Sequence, residues 1–323
     1  MFITDKEELF LAEAQRIGNE LLSLAEIDGQ HAFWRTMYSD GSGNLSWEKS
    51  ADIYQGGAGI TLFLFELYKQ TGVRDYLDIG LKCVNWLYHH YPEDNVSFFS
   101  GSMGVAYVIS KAYEITGEAQ YAKQALEIAQ ASSNHFFSTD KADIISGVAG
   151  ALIGLMHIHA IIGNNALLAL IDSGIRALIA MAHPGPQGLY WERNENKIKG
   201  LCGFAHGAAG IGFVFLELGH YFQNEAFWWL AEQAFAYESH CFNSAKNNWP
   251  DFRMLVNYDQ AYFTRGVVAY LDDEIAYFTE PADVNAWCHG AAGIGLSRLR
   301  ALELLNKASY HHDVQSAVKK IEE

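Results

Sequence analysis

The stretch GGAGITLFLFELYKQTG, residues 56–72, decides the fold. It opens on Gly-x-x-Gly and runs on as a strongly apolar segment of three or four helical turns. It closes on Gly72, where a helix C-cap sits. Four later segments follow the same plan: GSMGVAYVISKAYEITG from Gly101, GVAGALIGLMHIHAIIG from Gly147, GAAGIGFVFLELG from Gly207 and GAAGIGLSRLRALELL from Gly290. A self-similar spacing of this kind marks a repeat architecture.

Between these segments lie helices with one polar face: RDYLDIGLKCVNWLYHHY, AQYAKQALEIAQASSNHFF, ALLALIDSGIRALIAMA and EAFWWLAEQAFAYESHCF. The first two glycine-to-glycine intervals are 45 and 46 residues, which suits two helices and two connections. The unit is therefore a hairpin of one apolar and one amphipathic helix. The apolar helix has to be covered on all sides, whereas its partner can face water. Hairpins of this kind predict an all-α fold, an α/α toroid with inner and outer helical layers. An open solenoid shares the repeat, but the small residues at each inner N-terminus favour the closed ring, because they let the loops crowd together around a shared centre. The later intervals are 60 and 83 residues, and the longer one holds a further hairpin or a larger insertion in ESHCFNSAKNNWPDFRMLVNYDQAYFTRGVVAYLDD.

Composition narrows the function. The chain has 323 residues, half of them hydrophobic, and a net charge of −16. An acidic surface repels phosphate backbones, so nucleic acid is not an expected partner. No apolar run is long enough for a membrane span. The N-terminus reads as an amphipathic helix rather than a signal peptide. Four widely and irregularly spaced cysteines, at 83, 202, 241 and 288, do not form a disulfide framework and point to a reducing cytoplasm.

Several Gly-x-x-Gly segments carry reactive groups just ahead of them. KADIISGVAG places Asp143, LCGFAHGAAG places His206, and NAWCHGAAG places Cys288 and His289. If each segment starts an inner helix of one ring, these groups converge at one end within about 10 Å, as a preorganised site requires. Each residue also has an ordinary structural reading: a helix-capping Asp, a hydrogen-bonded His, a buried Cys. The pairs His89–His90 and His311–His312 read as solvated surface. His157 and His159, inside an apolar helix, read as structural. Cys202 and His206 are four apart, but the glycine-rich loop between them argues against a helical metal pair.

At these residues the sequence resembles the lanthionine synthetase C-like family of lanthipeptide cyclases. DIYQGGAGITLFL, ADIISGVAGAL, GFAHGAAGIG and WCHGAAGIGLSRL look like its successive motifs over essentially the whole chain, closest in wording to the C-terminal cyclase domain of class II, LanM-type synthetases. The resemblance implies an α/α toroid, read here as one cyclase domain over residues 1–323. It also implies a zinc ion held by two cysteines and a histidine, with Cys288 as the first ligand. It places His206 and Asp143 at the family's catalytic positions and His289 at a position near the zinc that the family fills with Tyr or His. The implied reaction is a Michael addition of a peptide cysteine to dehydroalanine or dehydrobutyrine, forming lanthionine or methyllanthionine thioethers. The expected partner is a dehydrated precursor peptide, with a dehydratase domain upstream in a full-length protein.

The family's remaining Cys-His ligand pair lies in a later Cys-His-Gly motif, and no second Cys-His-Gly follows Cys288-His289-Gly290 in this sequence. The reading is thus a toroid that lacks its last hairpin, with an incomplete zinc site and apolar residues such as Ile294, Leu296 and Leu299 losing their cover. Two other readings share the fold. An α/α-barrel glycoside hydrolase needs two carboxylates flanking a sugar groove. A non-catalytic peptide- or glutathione-binding toroid needs neither zinc nor a base.

Overall fold

The structure, a computed structural model, describes residues 4–39, 44–191, 200–252, 268 and 284–323. The chain divides into two compact units, one formed by residues 1–135 and 154–172, the other by residues 136–153 and 173–323.

Each repeat segment is a helix of 15 residues: α2 (Gly57–Thr71), α4 (Ser102–Thr116), α6 (Val148–Ile162), α8 (Ala208–Phe222) and α10 (Ala291–Leu305). Each is followed by its partner: α3 (Arg74–Leu87), α5 (Ala119–Ser133), α7 (Ala166–Ala180), α9 (Glu225–Cys241) and α11 (Ala308–Glu322). An amphipathic helix, α1 (Thr4–Leu24), precedes the repeats, and the Tyr76 hydroxyl on α3 donates to its Asn19 Oδ1 at 2.8 Å.

The reason for Gly-x-x-Gly is visible at the second glycine. A Cβ on Gly59, Gly104, Gly210 or Gly293 would lie 1.8–2.2 Å from the carbonyl oxygen of the residue six positions earlier. The loop before each helix doubles back so tightly that only a hydrogen fits. The same doubling caps four of the helices: the first N–H groups at Gly57, Ser102, Val148 and Ala208 donate to the carbonyls of Ser50, Asn95, Lys141 and Leu201 at 2.7–3.0 Å. These bonds satisfy donors that a helix start otherwise leaves open. At their other ends α2 and α4 stop on left-handed glycines, Gly72 and Gly117, with φ of 71° and 73°.

In the first unit, α4 is buried on nearly every side, including Met103, Val105, Val108 and Ile109, while α3 buries one stripe, Tyr76, Leu77, Cys83, Val84 and Leu87. In the second unit α8 is the all-round buried helix, and α9 turns Ala231, Phe235 and Glu238 inward. Helix α10 departs from the pattern. Leu296 and Leu299 are 52% and 48% exposed, Ile294 is buried, and a charged residue, Arg298, is fully buried.

Among the described residues, three short antiparallel strand pairs were not expected from an all-α reading. They are β1 (Glu26–Asp28) with β2 (His31–Phe33), β3 (Thr36–Ser39) with β4 (Leu45–Glu48), and β5 (Ala182–Gly185) with β6 (Gly188–Trp191). Each is two-stranded and lies in a connection, so none forms a sheet core. The hairpin or insertion expected in the 83-residue interval falls mostly outside the described residues. Among the described residues, no helix is long and apolar enough to cross a membrane.

Candidate functional site

The site lies within the second unit, at the N-terminal ends of α6, α8 and α10. Its loops are stitched side by side through the backbone. The Ile144 N–H donates to the Ala205 carbonyl at 3.2 Å, and the Ala205 N–H donates to the Cys288 carbonyl at 3.3 Å. The residue after Ala205 is His206 and the residue after Cys288 is His289, so this ladder sets the two histidines beside each other. Their rings stack with centroids 5.4 Å apart and planes 15° from parallel.

Asp143 sits in the turn before α6. Its Oδ1 accepts the Ser146 backbone N–H at 2.6 Å. Asp52, at the same place in the first repeat, accepts the Gln55 N–H at 2.6 Å in the same way. That part of Asp143's bonding is turn chemistry, which short acidic side chains supply routinely. The other oxygen separates the two residues. Asp52 Oδ2 accepts from the Ser50 hydroxyl at 2.7 Å, whereas Asp143 Oδ2 lies 2.9 Å from His206 Nδ1. The Asp143 side chain is 4% exposed and that of His206 19%, so the pair has one closed and one open end.

Bonded this way, His206 carries its proton on Nδ1 and leaves Nε2 as the ring's acceptor, a tautomer assigned from the hydrogen bond. His289 is deeply buried, with its Nδ1 3.8 Å from Oδ1 of the buried Asp251. Cys288 is half-buried, and the other three thiols are buried; none of the four is in a disulfide. Burial pushes the Cys83 thiol up to about 12.

The structure therefore brings together Asp143, His206 and His289, with Cys288 in the adjoining strand of loop. Cys202 is buried, and both it and His206 stand in the loop ahead of α8 rather than on a helix. His89, His90, His311 and His312 are all exposed, and His90 stacks on Trp86 with centroids 4.4 Å apart. His157 is exposed rather than buried in a core, its ring 5.7 Å from that of Tyr107 and tilted by 51°.

Zinc is the group implied by the resemblance, and a zinc site needs three protein ligands to leave one position open. Among the described residues no three His, Cys, Asp or Glu side chains gather to hold a metal ion. Cys288 is the one partly exposed thiol there, and the described residues do not fit a zinc site.

Three supporting residues, Glu238, Arg298 and Asn248, had no mark in the sequence. Glu238 lies on α9, where AYESHCF reads as an outer, wetted stripe, yet it is fully buried. Its Oε1 accepts the N–H groups of Gly203 and Ala209 at 2.8 and 2.9 Å. Burial holds its carboxyl above the usual range, opposed by Arg298 and by those two N–H groups. Arg298, on α10, pairs with Glu238 Oε2 at 3.1 Å and Asp313 Oδ2 at 3.0 Å, its guanidinium 4.0 Å from the Phe235 ring centre. Asn248 caps α10, its Oδ1 accepting the Ala291 N–H at 2.9 Å in place of the backbone cap used by the other repeats.

Comparison with known proteins gives the fold class and the family. Nisin cyclase is similar in structure, with a TM-score of 0.55 and 15% identity, over 85% of this chain and 71% of that one. An unsaturated glucuronyl hydrolase specific for heparin matches with a TM-score of 0.52 and 13% identity, over 97% and 84%. A sugar epimerase from a ruminal bacterium matches with a TM-score of 0.52 and 10% identity, over 97% and 87%. At such identities these likenesses establish the fold class, the mostly helical α/α toroid, and leave chemistry to the site. The comparison with curated protein sequences gave no match. Residues 48–322 match the model of the lanthionine synthetase C-like proteins, and with that span covered the chain belongs to the lanthionine synthetase C-like family.

Proposed function

We propose that this chain is a lanthipeptide cyclase that closes thioether rings in a dehydrated peptide. The observation that carries the reading is the Asp143–His206 pair, 2.9 Å apart, buried at the carboxylate and open at the imidazole. The structural likeness to nisin cyclase supports the same direction.

A cysteine thiol is mostly protonated at neutral pH, and the thiolate is the nucleophile. His206 Nε2 takes the thiol proton while Asp143 holds the ring by Nδ1 and stabilises the imidazolium that forms. The sulfur lone pair attacks the β-carbon of a dehydroalanine or dehydrobutyrine. A C–S bond forms, and the π pair moves through the α-carbon onto the carbonyl as an enolate. The enolate collapses and the α-carbon takes a proton, from His206 or from the stacked His289. Proton uptake and release balance, and no oxidant or leaving group is needed.

The sugar-processing alternative requires two carboxylates across an open groove. Asp143 is committed to His206 and Ser146, and Asp251 is buried beside His289. The geometry favours the cyclase reading.

The test uses a synthetic peptide with one cysteine and one dehydroalanine. Ring closure leaves the mass unchanged, so loss of alkylatable thiol is followed, and the product's stereochemistry separates it from spontaneous closure. The expected result is closure well above the buffer rate and a single diastereomer. Closure at the buffer rate, or undiminished in His206→Ala, overturns the proposal.

A further inference from the structure

The loop that carries His206 is held by one buried carboxylate at both of its ends. Glu238 Oε1 accepts the N–H of Gly203, three residues before His206, and of Ala209, three residues after it. Gly203 is also where this loop meets the next. Its φ is +108°, and a Cβ there would sit 2.7 Å from the Cys288 carbonyl oxygen and 3.1 Å from the His289 Cα. The counter-ion of Glu238 stands on the helix that follows Cys288–His289, because Arg298 belongs to α10. One ion pair thus spans the His206 loop and the element carrying the other two site residues.

Surface charge pairs do little for a fold. This one is different in kind: Glu238 and Arg298 are both fully buried, and every acceptor and donor named has a partner. A buried pair is poor value as stability alone, since well-packed apolar residues often replace it without loss. What an apolar residue cannot do is accept two backbone N–H groups at once.

We propose that Glu238 is a positioning residue that sets the His206 imidazole against Asp143 and against the Cys288–His289 loop, acting through the reach of its carboxylate rather than through its charge. The proposal rests on the reading of His206 as the proton-transfer group, and its test is chosen to stand apart from that reading.

Reach and charge are separable by two substitutions. Glu238→Gln keeps the reach, and its side-chain oxygen still accepts both N–H groups, but the charge is gone. Glu238→Asp keeps the charge and falls one methylene short of the loop. The readout is the His206 Nδ1–H resonance in histidine-labelled protein without substrate, which reports the bond to Asp143 whatever reaction the site performs. Expected is a retained resonance in Glu238→Gln and its loss by solvent exchange in Glu238→Asp. With the peptide, kcat should fall about 100-fold in Glu238→Asp with KM unchanged, the scale of a small misplacement. Asp313→Asn, which touches Arg298 on its far side, should lower the melting temperature and leave the resonance in place.

A resonance lost in folded Glu238→Gln, retained in Glu238→Asp, or lost in Asp313→Asn assigns Glu238 a purely structural role and overturns the proposal. If Glu238→Asp does not fold, Glu238→Gln and Asp313→Asn still decide it by the same criteria. The expected retention in Glu238→Gln and loss in Glu238→Asp, with no cyclisation in the unaltered protein, would instead sink the cyclase reading and leave the positioning role standing.

Discussion

The Nδ1 of His206 and the Oδ2 of Asp143 lie 2.9 Å apart although 63 residues of chain separate them. The two belong to successive repeats, and each stands just ahead of an inner helix. The backbone bond from Ile144 to Ala205 fixes the distance between their loops. The side-chain bond is thus a consequence of loop register, and the register is a consequence of the repeated doubling of the chain at Gly-x-x-Gly.

On the proposed cyclase reading, removing the His206 imidazole should abolish most of the chemistry and little of the fold. In His206→Ala the ring-closure rate is expected to fall by about 10² to 10⁴, the usual contribution of a positioned general acid–base group. Asp143→Asn should fall in the same direction while also weakening the turn to Ser146. Asp52→Asn, which perturbs only the equivalent turn, should change the melting temperature and leave the rate per folded molecule unaltered. Initial rates of thiol loss, normalised to folded protein, check all three.

The four cysteines should separate cleanly by reactivity. Cys288 is half-buried, while Cys83, Cys202 and Cys241 are buried. With the Cys83 thiol pushed up to about 12, roughly one molecule in 10⁴ carries it as thiolate at pH 8. A thiol reagent is expected to label Cys288 first in the native protein and all four after denaturation. Peptide mapping of a short labelling pulse reads the order.

Two glycine substitutions should differ in a way backbone strain alone does not explain. Gly72→Ala places a Cβ in open space at a φ of 71°, at about 1 to 2 kcal/mol. Gly203→Ala meets a φ of 108° and the Cys288 carbonyl at 2.7 Å. Strain of about 1 to 3 kcal/mol is joined there by a forced separation of the two site loops. Denaturant unfolding should show the larger loss for Gly203→Ala, and only that variant should also slow ring closure.

The buried carboxylate gives stability a particular dependence on pH. Burial raises the Glu238 carboxyl above its usual range, so the folded state holds the proton at pH values where the unfolded chain has released it. Stability from this residue is complete below about 4.5 and declines as pH rises through its folded pKa. The difference in unfolding free energy between the unaltered protein and Glu238→Gln should therefore shrink with rising pH over that interval. Arg298→Met, which strands Glu238 without its counter-ion, should cost about 3 to 5 kcal/mol near neutral pH.

Much of the architecture was legible because it rests on a local rule repeated along the chain. A helix covered on all sides has to be apolar on all sides, and α4 and α8 read that way. The turn before each helix needs glycine, and the left-handed caps after α2 and α4 need it again. The hairpins β1–β2, β3–β4 and β5–β6 escaped because strands of three or four residues carry no periodicity. On helix α10 the exposure of Leu296 and Leu299 agrees with the expected loss of cover, whereas Ile294 is buried and so is Arg298, whose charge carries no sign in the sequence of the partners it finds in Glu238 and Asp313.

The sequence by itself determined the repeat, the helical hairpins and the residues that head each inner helix, because glycine spacing and hydrophobic coverage are properties of neighbours along the chain. It also marked Asp143, His206, Cys288 and His289, since all stand at the same point of the repeat. Only the tertiary structure decided which of them meet. The facing of His206 on Asp143, its stacking on His289, and the service of Glu238, Arg298, Asp251 and Asn248 behind them depend on contacts between segments far apart in sequence. A buried carboxylate on an outer helix looks the same in sequence as one in water; its partners, supplied by two other helices and a loop, make the difference.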